Sequence, residues 1–145
     1  QAFDEGLYVQ ACGDVKQPGY IKTEVYPGFP TDMQAPLMAL MCIAKGSTVF
    51  IETIFESRYK HVGELVRMGA KITTEGRVAV VEGVPHLKSA AVEATDLRGG
   101  AALMIAGLAA EGETVISNLH HIQRGYEYPE KILSALGAKI RIENS

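Results

Sequence analysis

The sequence predicts a mixed α/β (α+β) fold made of repeated βαβαββ units packed around buried helices. Three observations carry this: a self-match with a period near 66 residues, apolar helical segments alternating with β-branched runs, and glycines at the same stop positions in each copy. The first copy runs Thr31-Asp32, an apolar segment, Ala44-Lys45-Gly46, a β-rich run, Arg58, a second helical segment and Gly69-Ala70-Lys71-Ile72. The second runs Thr95-Asp96, an apolar segment, Ala110-Glu111-Gly112, a β-rich run, Arg124, a helical segment and Gly137-Ala138-Lys139-Ile140. A period this long exceeds that of solenoids and propellers, so each copy should be a complete α/β unit.

The elements follow in order. Leu7 to Ala11 and Tyr20 to Val25 are expected as strands, the tail of a preceding copy. Thr31, with Gln34 three residues on, has the form of a capping box opening a helix from Asp32 to Lys45, which Gly46 ends. Thr48 to Thr53 is β-branched and aromatic enough for a strand. His61 to Met68 is a short helix closed by Gly69, and strands Lys71 to Thr74 and Arg77 to Val81 flank a tight turn at Glu75-Gly76. The second copy predicts a helix from Asp96 to Ala110, a strand from Thr114 to Ser117, a helix from Tyr128 to Leu136 and a strand from Ala138 to Ile142. Segments such as Ala101 to Ala106 are apolar all round, which predicts helices buried together at the centre of a domain. The organisation expected is one domain over 1–145, with 1–26 the tail of one unit and 27–90 and 91–145 two further units. Because the chain starts at Gln1 almost within an apolar run, it reads as a piece of something longer.

Composition narrows the function classes. With 145 residues, 47% hydrophobic and 21% charged, the chain can bury an ordinary globular core. A net charge of −3 and no dense Lys/Arg run argue against nucleic acid. The longest apolar stretch, Ala35 to Ala44, is too short for a bilayer, and no signal peptide opens the chain, so a soluble, cytoplasmic protein is expected. Cys12 and Cys42 form no CxxC pair and no His stands at zinc-ligand spacing, so neither a disulfide framework nor a metal site is expected. Cys42 reads as a buried inert thiol and Cys12 as a strand residue. His120 and His121 should point to opposite sides of a strand; with His61 and His86 they read as structural or solvent-facing residues.

A few residues are not needed by the fold. Asp32 at a helix start is explained by the helix dipole. Arg98 is not, since a cation in the first turn opposes that dipole. Free N–H groups beside a guanidinium suit phosphate or carboxylate, with Arg124 and its repeat equivalent Arg58 as further cations. Surface ion pairs are the other reading, and pattern alone leaves both open. No P-loop is present.

Pro27-Gly28-Phe29-Pro30-Thr31-Asp32-Met33-Gln34 resembles the signature of the bacterial UDP-N-acetylglucosamine 1-carboxyvinyltransferase family. Glu52-Thr53-Ile54-Phe55-Glu56-Ser57-Arg58, Arg67-Met68-Gly69-Ala70, Ala94-Thr95-Asp96-Leu97-Arg98 and His121-Ile122-Gln123-Arg124-Gly125-Tyr126 follow in the family's order, so the resemblance covers essentially the whole chain. It implies a two-domain enolpyruvyl transferase fold, of which this chain is one incomplete domain. It also implies transfer of the enolpyruvyl group from phosphoenolpyruvate to the 3-hydroxyl of UDP-N-acetylglucosamine, a step of peptidoglycan synthesis needing no metal or organic cofactor. By the same resemblance Asp32 is the general base, Thr31 and Ile54 touch the sugar nucleotide, and Arg98 and Arg124 hold phosphoenolpyruvate. Arg58 is a further cleft arginine. The family's Lys-Asn pair and its cysteine loop belong to an N-terminal domain outside this chain, which is the expected partner. The isolated chain is therefore expected to be inactive. A 3-phosphoshikimate enolpyruvyl transferase and a non-catalytic fragment are the alternatives.

Overall fold

The computed structural model describes residues 2–3, 6–10 and 13–143. It has the mixed α/β architecture expected. Two short strands, β1 (Ala2–Phe3) and β2 (Gly6–Leu7), pair antiparallel at the start. The expected strand from Leu7 to Ala11 is present only at Leu7, in β2: Tyr8–Gln10 run outside any ladder, and Ala11 and Cys12 lie outside the described residues. Beyond Leu7, which pairs with Ala2, no strand passes alongside this segment among the described residues, and Leu7 and Val9 stay 74% and 84% exposed. An apolar stretch without a surface to cover does not acquire a ladder.

Next come β3 (Tyr20–Lys22), a 3₁₀ turn at Thr31–Met33, and α1 (Gln34–Met41). The capping box does not form. Pro30 is the residue ahead of the 3₁₀ turn, and the Thr31 hydroxyl donates to Glu52 Oε2 at 2.9 Å instead of to the helix. Pro36 is tolerated near the start of α1 because the N–H it lacks has no intrahelical partner there. The helix stops at Met41, earlier than the Lys45 expected. The amides of Ile43 and Ala44 bond the carbonyls three residues back, tightening the chain ahead of Gly46, whose φ is +111°.

Then follow β4 (Ser47–Ile51), α2 (Val62–Arg67), β5 (Lys71–Glu75) and β6 (Val78–Glu82). The sheet order is β3-β4-β6-β5, with β3 parallel to β4 and the other pairs antiparallel. Strands β5 and β6 turn through Gly76 and Arg77, one residue later than Glu75-Gly76, with Glu75 opposite Val78.

Strands β7 (Leu87–Lys88) and β8 (Ala91–Glu93) lead to α3 (Leu97–Ala109), then β9 (Ala110–Glu111) and β10 (Val115–Ser117). The parallel pair β8/β10 bridged by α3 reproduces β3/β4 bridged by α1. The match extends to detail, for Lys16 bridges Lys45 in the first arrangement as β7 pairs β9 in the second. Asp96, extended at φ −164°, caps α3 by accepting the Gly99 amide at 2.8 Å.

The chain ends with α4 (His120–Gln123), α5 (Pro129–Ala135) and an irregular stretch to residue 143. Two expectations are corrected here. His120 and His121 lie on α4 with ring centroids 4.2 Å apart, because Asn118 at φ +60° breaks the strand before them. The strand expected from Ala138 to Ile142 is absent, since no strand among the described residues lies beside it in the way β6 lies beside β5.

Helices α1 and α3 pack on each other at the centre, as their all-round apolarity demands. Met38, Cys42, Phe50, Leu65, Met68, Leu87, Ala102, Leu103 and Ala106 make a single fully buried cluster. Burial pushes the Cys42 thiol up to about 12, and its S–H donates to the Met38 carbonyl, so it packs as an apolar residue. Gly100 lets α3 approach α4: a Cβ there would stand 2.4 Å from Ile122 Cγ1.

Candidate functional site

The repeat brings the starts of α1 and α3 to one edge of the molecule, and three of the residues singled out in the sequence meet there. Asp32 lies in the 3₁₀ turn before α1, Arg58 in the connection from β4 to α2, and Arg98 in the first turn of α3. Asp32 Oδ1 accepts from Arg58 Nη2 at 2.8 Å, and Oδ2 accepts from Arg98 Nη2 at 2.9 Å. The carboxylate remains 54% exposed while the arginines are 23% and 28% exposed. Two cations thus share one anion, and the cluster keeps a net positive charge able to receive a second anionic group.

Each arginine has further support. Arg98 Nη1 donates to the Tyr126 hydroxyl at 2.7 Å, and this bond, ahead of the one to Asp32, raises the guanidinium's proton affinity further. The Arg58 guanidinium lies 4.7 Å from the Phe55 ring centroid. The aromatic partners fix long side chains whose freedom otherwise opposes such an arrangement.

Asp32 and Asp96 match in the repeat yet behave differently. Asp96 spends its carboxylate on the helix cap, whereas Asp32 makes no cap bond and directs both oxygens at the arginines. Arg124, the counterpart of Arg58, follows α4 in the connection from β10 to α5. It is exposed and its side chain has no hydrogen bond or ion pair to a described residue, so the structure does not join it to the Asp32 cluster.

Thr31 and Ile54 are brought together by Glu52, a residue the sequence analysis gave no role. Glu52 is 1% exposed. Its Oε1 accepts from Thr23 Oγ1 at 2.9 Å and from the amides of Ile54 and Phe55 at 2.9 and 3.2 Å, while Oε2 accepts from Thr31. A lone charge at the end of an otherwise apolar strand was the available signal. Beside Ile54 an open depression of about 530 Å³ is bounded by Glu24 to Gly28 and Thr53.

His61 is 1% exposed, and no hydrogen bond reaches its Nε2. Burial pushes its pKa down to about 4, with Asp96 opposing and Arg58 reinforcing that shift. It is a neutral packing residue beneath the site. Among the described residues no group of three or more His, Cys, Asp or Glu is placed to hold a metal ion. No helix among them is long and apolar enough to cross a membrane.

Repeated strand–helix–strand units thus bring two helix starts, a carboxylate and two arginines to one edge of the molecule. The chain belongs to the EPSP synthase (3-phosphoshikimate 1-carboxyvinyltransferase) family, whose model matches residues 7–144. It is 61% identical over 135 residues to a UDP-N-acetylglucosamine 1-carboxyvinyltransferase of Novosphingobium aromaticivorans, covering 93% of this chain and 31% of the relative. A Caldanaerobacter subterraneus protein named UDP-N-acetylglucosamine 1-carboxyvinyltransferase 1 is 62% identical over the same length, 93% of this chain and 32% of its own. The chain therefore spans about a third of these relatives. Among solved structures, the enolpyruvyl transferase NikO from Streptomyces tendae superposes with a TM-score of 0.80 at 33% identity, covering 90% of this chain and 30% of that one. An EPSP synthase from Acinetobacter baumannii gives 0.62 at 23% identity over 78% of this chain and 27% of its own, a likeness of fold.

Proposed function

We propose that the full-length protein carrying this chain transfers the enolpyruvyl group of phosphoenolpyruvate to the 3-hydroxyl of UDP-N-acetylglucosamine, a step of peptidoglycan synthesis in the cytoplasm. The hydroxyl oxygen bonds to the enolpyruvyl carbon, the carbon–oxygen bond to phosphate breaks, and phosphate departs with the electron pair. The observation that carries this reading is Asp32 held between Arg58 and Arg98 at the junction of two units. The names of the 61% and 62% identical relatives support the choice of sugar nucleotide.

In this reading Asp32 takes the hydroxyl proton once a substrate oxygen comes within hydrogen-bond reach. Arg98 and Arg124 hold the phosphate and carboxylate of phosphoenolpyruvate, with Arg58 a further cation. Thr31 and Ile54 face the sugar nucleotide beside the depression at Glu24–Gly28. Residues 27–90 and 91–145 are two successive units and 1–26 the tail of another. A second domain of the same protein closes over this face, excludes water and supplies the remaining ligands.

The test is phosphate release from phosphoenolpyruvate by the full-length protein, with UDP-N-acetylglucosamine and with shikimate 3-phosphate as acceptors. Release only with the sugar nucleotide is expected. Release only with shikimate 3-phosphate would move the assignment to the other branch of the family, and release with neither would end it.

A further inference from the structure

We infer that Glu52 is the positioning residue that sets Asp32 against Arg58, acting through Thr31 on one side and the Ile54–Phe55 backbone on the other. The inference rests on the functional reading above for its kinetic test and on geometry for its argument.

A carboxylate that is 1% exposed is costly unless its lone pairs are filled. Glu52 fills them without a cation, since no ion pair reaches it among the described residues. Its donors come from three separate segments: Thr23 just after β3, Thr31 before α1, and the amides of Ile54 and Phe55 after β4. Thr31 is the residue before Asp32. Phe55 underlies the Arg58 guanidinium at 4.7 Å. Both ends of the Asp32–Arg58 pair therefore hang from the two oxygens of one side chain.

Thr23 repeats the tie in the backbone, for its hydroxyl also accepts the Thr53 amide at 2.9 Å and the Thr53 hydroxyl donates to the Thr23 carbonyl. The network locks the loop after β4 against β3 and leaves the Thr31 arm as the single side-chain bond from Glu52 to the Asp32 turn. In this arrangement the Thr31 hydroxyl is engaged inward, so that hydroxyl acts through the position of Asp32 and leaves the rest of Thr31 to face the sugar nucleotide.

The variants are Glu52→Leu, Glu52→Gln and Thr31→Val in the full-length protein, each also combined with Asp32→Asn. Misplacing a reacting group by about 1 Å costs about 10²-fold, so Glu52→Leu should lower kcat by that order. Thr31→Val, which keeps the size and backbone of the residue and removes only the inward hydroxyl, should lower kcat by a larger factor than it raises KM for UDP-N-acetylglucosamine. Glu52→Gln should recover kcat to within about threefold, because its oxygen keeps the Oε1 donors while its amide donates to the Thr31 oxygen, which can accept. Added to Asp32→Asn, Glu52→Leu should cost little more, since residues acting through one another are not additive. A merely structural Glu52 predicts lowered melting temperature with kcat of the folded enzyme unchanged, or losses that multiply with Asp32→Asn; either result overturns the inference. So does a Thr31→Val effect confined to KM, or a Glu52→Gln enzyme as impaired as Glu52→Leu.

If the wild-type protein turns over neither acceptor, the functional reading fails and the positioning claim is judged on this chain alone. The Asp32 pair should slow rotation of the Arg58 guanidinium and give it separate NMR signals, which should average in Glu52→Leu and Thr31→Val and persist in Glu52→Gln. Signals unchanged in all three would overturn it.

Discussion

Asp32 Oδ2 and Arg98 Nη2, 2.9 Å apart and 66 residues apart in sequence, join the start of α1 to the start of α3. The bond exists because the two copies of the unit differ: Asp96 caps its own helix, and Asp32 is left free to reach across. Exposed pairs of this kind contribute about 0–1 kcal/mol to stability, so the arrangement is poorly explained by folding alone.

Asp32→Asn in the full-length protein should therefore lower turnover far more than it lowers stability. The amide keeps the size and one acceptor but cannot take the proton. A general base contributes typically about 10²–10⁴-fold, and the melting temperature should shift by only a few degrees. Steady-state kinetics beside a thermal melt checks both halves; near-normal turnover removes Asp32 from the role of base.

Arg98→Ala and Arg124→Ala should weaken binding of phosphoenolpyruvate in the full-length protein, for different reasons. Arg98 carries its own scaffold in Tyr126 and Asp32, so its loss also releases Asp32, and kcat should fall as well. The Arg124 side chain has no partner among the described residues, so its loss should act on phosphoenolpyruvate without disturbing the Asp32 pair. Calorimetric titration of phosphoenolpyruvate into each variant separates them. The isolated chain, with one wall of the site, should bind it weakly and release no phosphate.

Much of this was legible in the sequence because it is written twice. Helix α3 falls within a residue of its expected limits, since Asp96 caps it by side chain and Gly112 follows in the left-handed region. Helix α1 was harder: Thr31, Asp32 and Gln34 have the spelling of a cap, but Thr31 is taken by Glu52 and Asp32 by two arginines. Tertiary bonds outbid a local motif there, and no local pattern announces them. The strand at Ala138 to Ile142 failed for a related reason, because a strand is a property of a pair. Asp32, Arg58 and Arg98 could be chosen individually, Arg98 because it opposes the helix dipole. Glu52 was missed because its role depends on three segments that only the fold brings together.

Stability should fall as pH drops from 7 toward 4 through His61. Unfolded, its pKa is about 6.5; folded, burial holds it at about 4. Above 6.5 the ring is neutral in both states and costs nothing. Between the two values the unfolded chain binds a proton that the folded chain refuses, so stability declines with falling pH, by about 2 kcal/mol at pH 5. Urea unfolding at pH 7.5 and 5 checks this, with His61→Leu as the control that should remove this part of the slope. An equal slope in both proteins assigns it to other groups.

Gly100→Ala should destabilise the chain even though alanine is the better helix former. In an exposed helix the exchange would gain about 1 kcal/mol. Here the new methyl would meet Ile122 Cγ1 at 2.4 Å and Cδ1 at 3.1 Å, and Ile122 is 1% exposed. A buried branched side chain has no free direction in which to yield, so α4 must move away from α3, at a cost of about 1–3 kcal/mol for overpacking. The clash outweighs or cancels the propensity gain. Since Arg124 directly follows α4 and Tyr126 lies two residues beyond, the displacement should also loosen the Tyr126–Arg98 hydrogen bond. A thermal melt gives the first effect and phosphoenolpyruvate titration of the full-length protein the second. Ile122→Val, which removes one of the clashing carbons, should recover part of both in the Gly100→Ala background. A more stable Gly100→Ala protein would show that α4 is not held where the packing of Ile122 puts it.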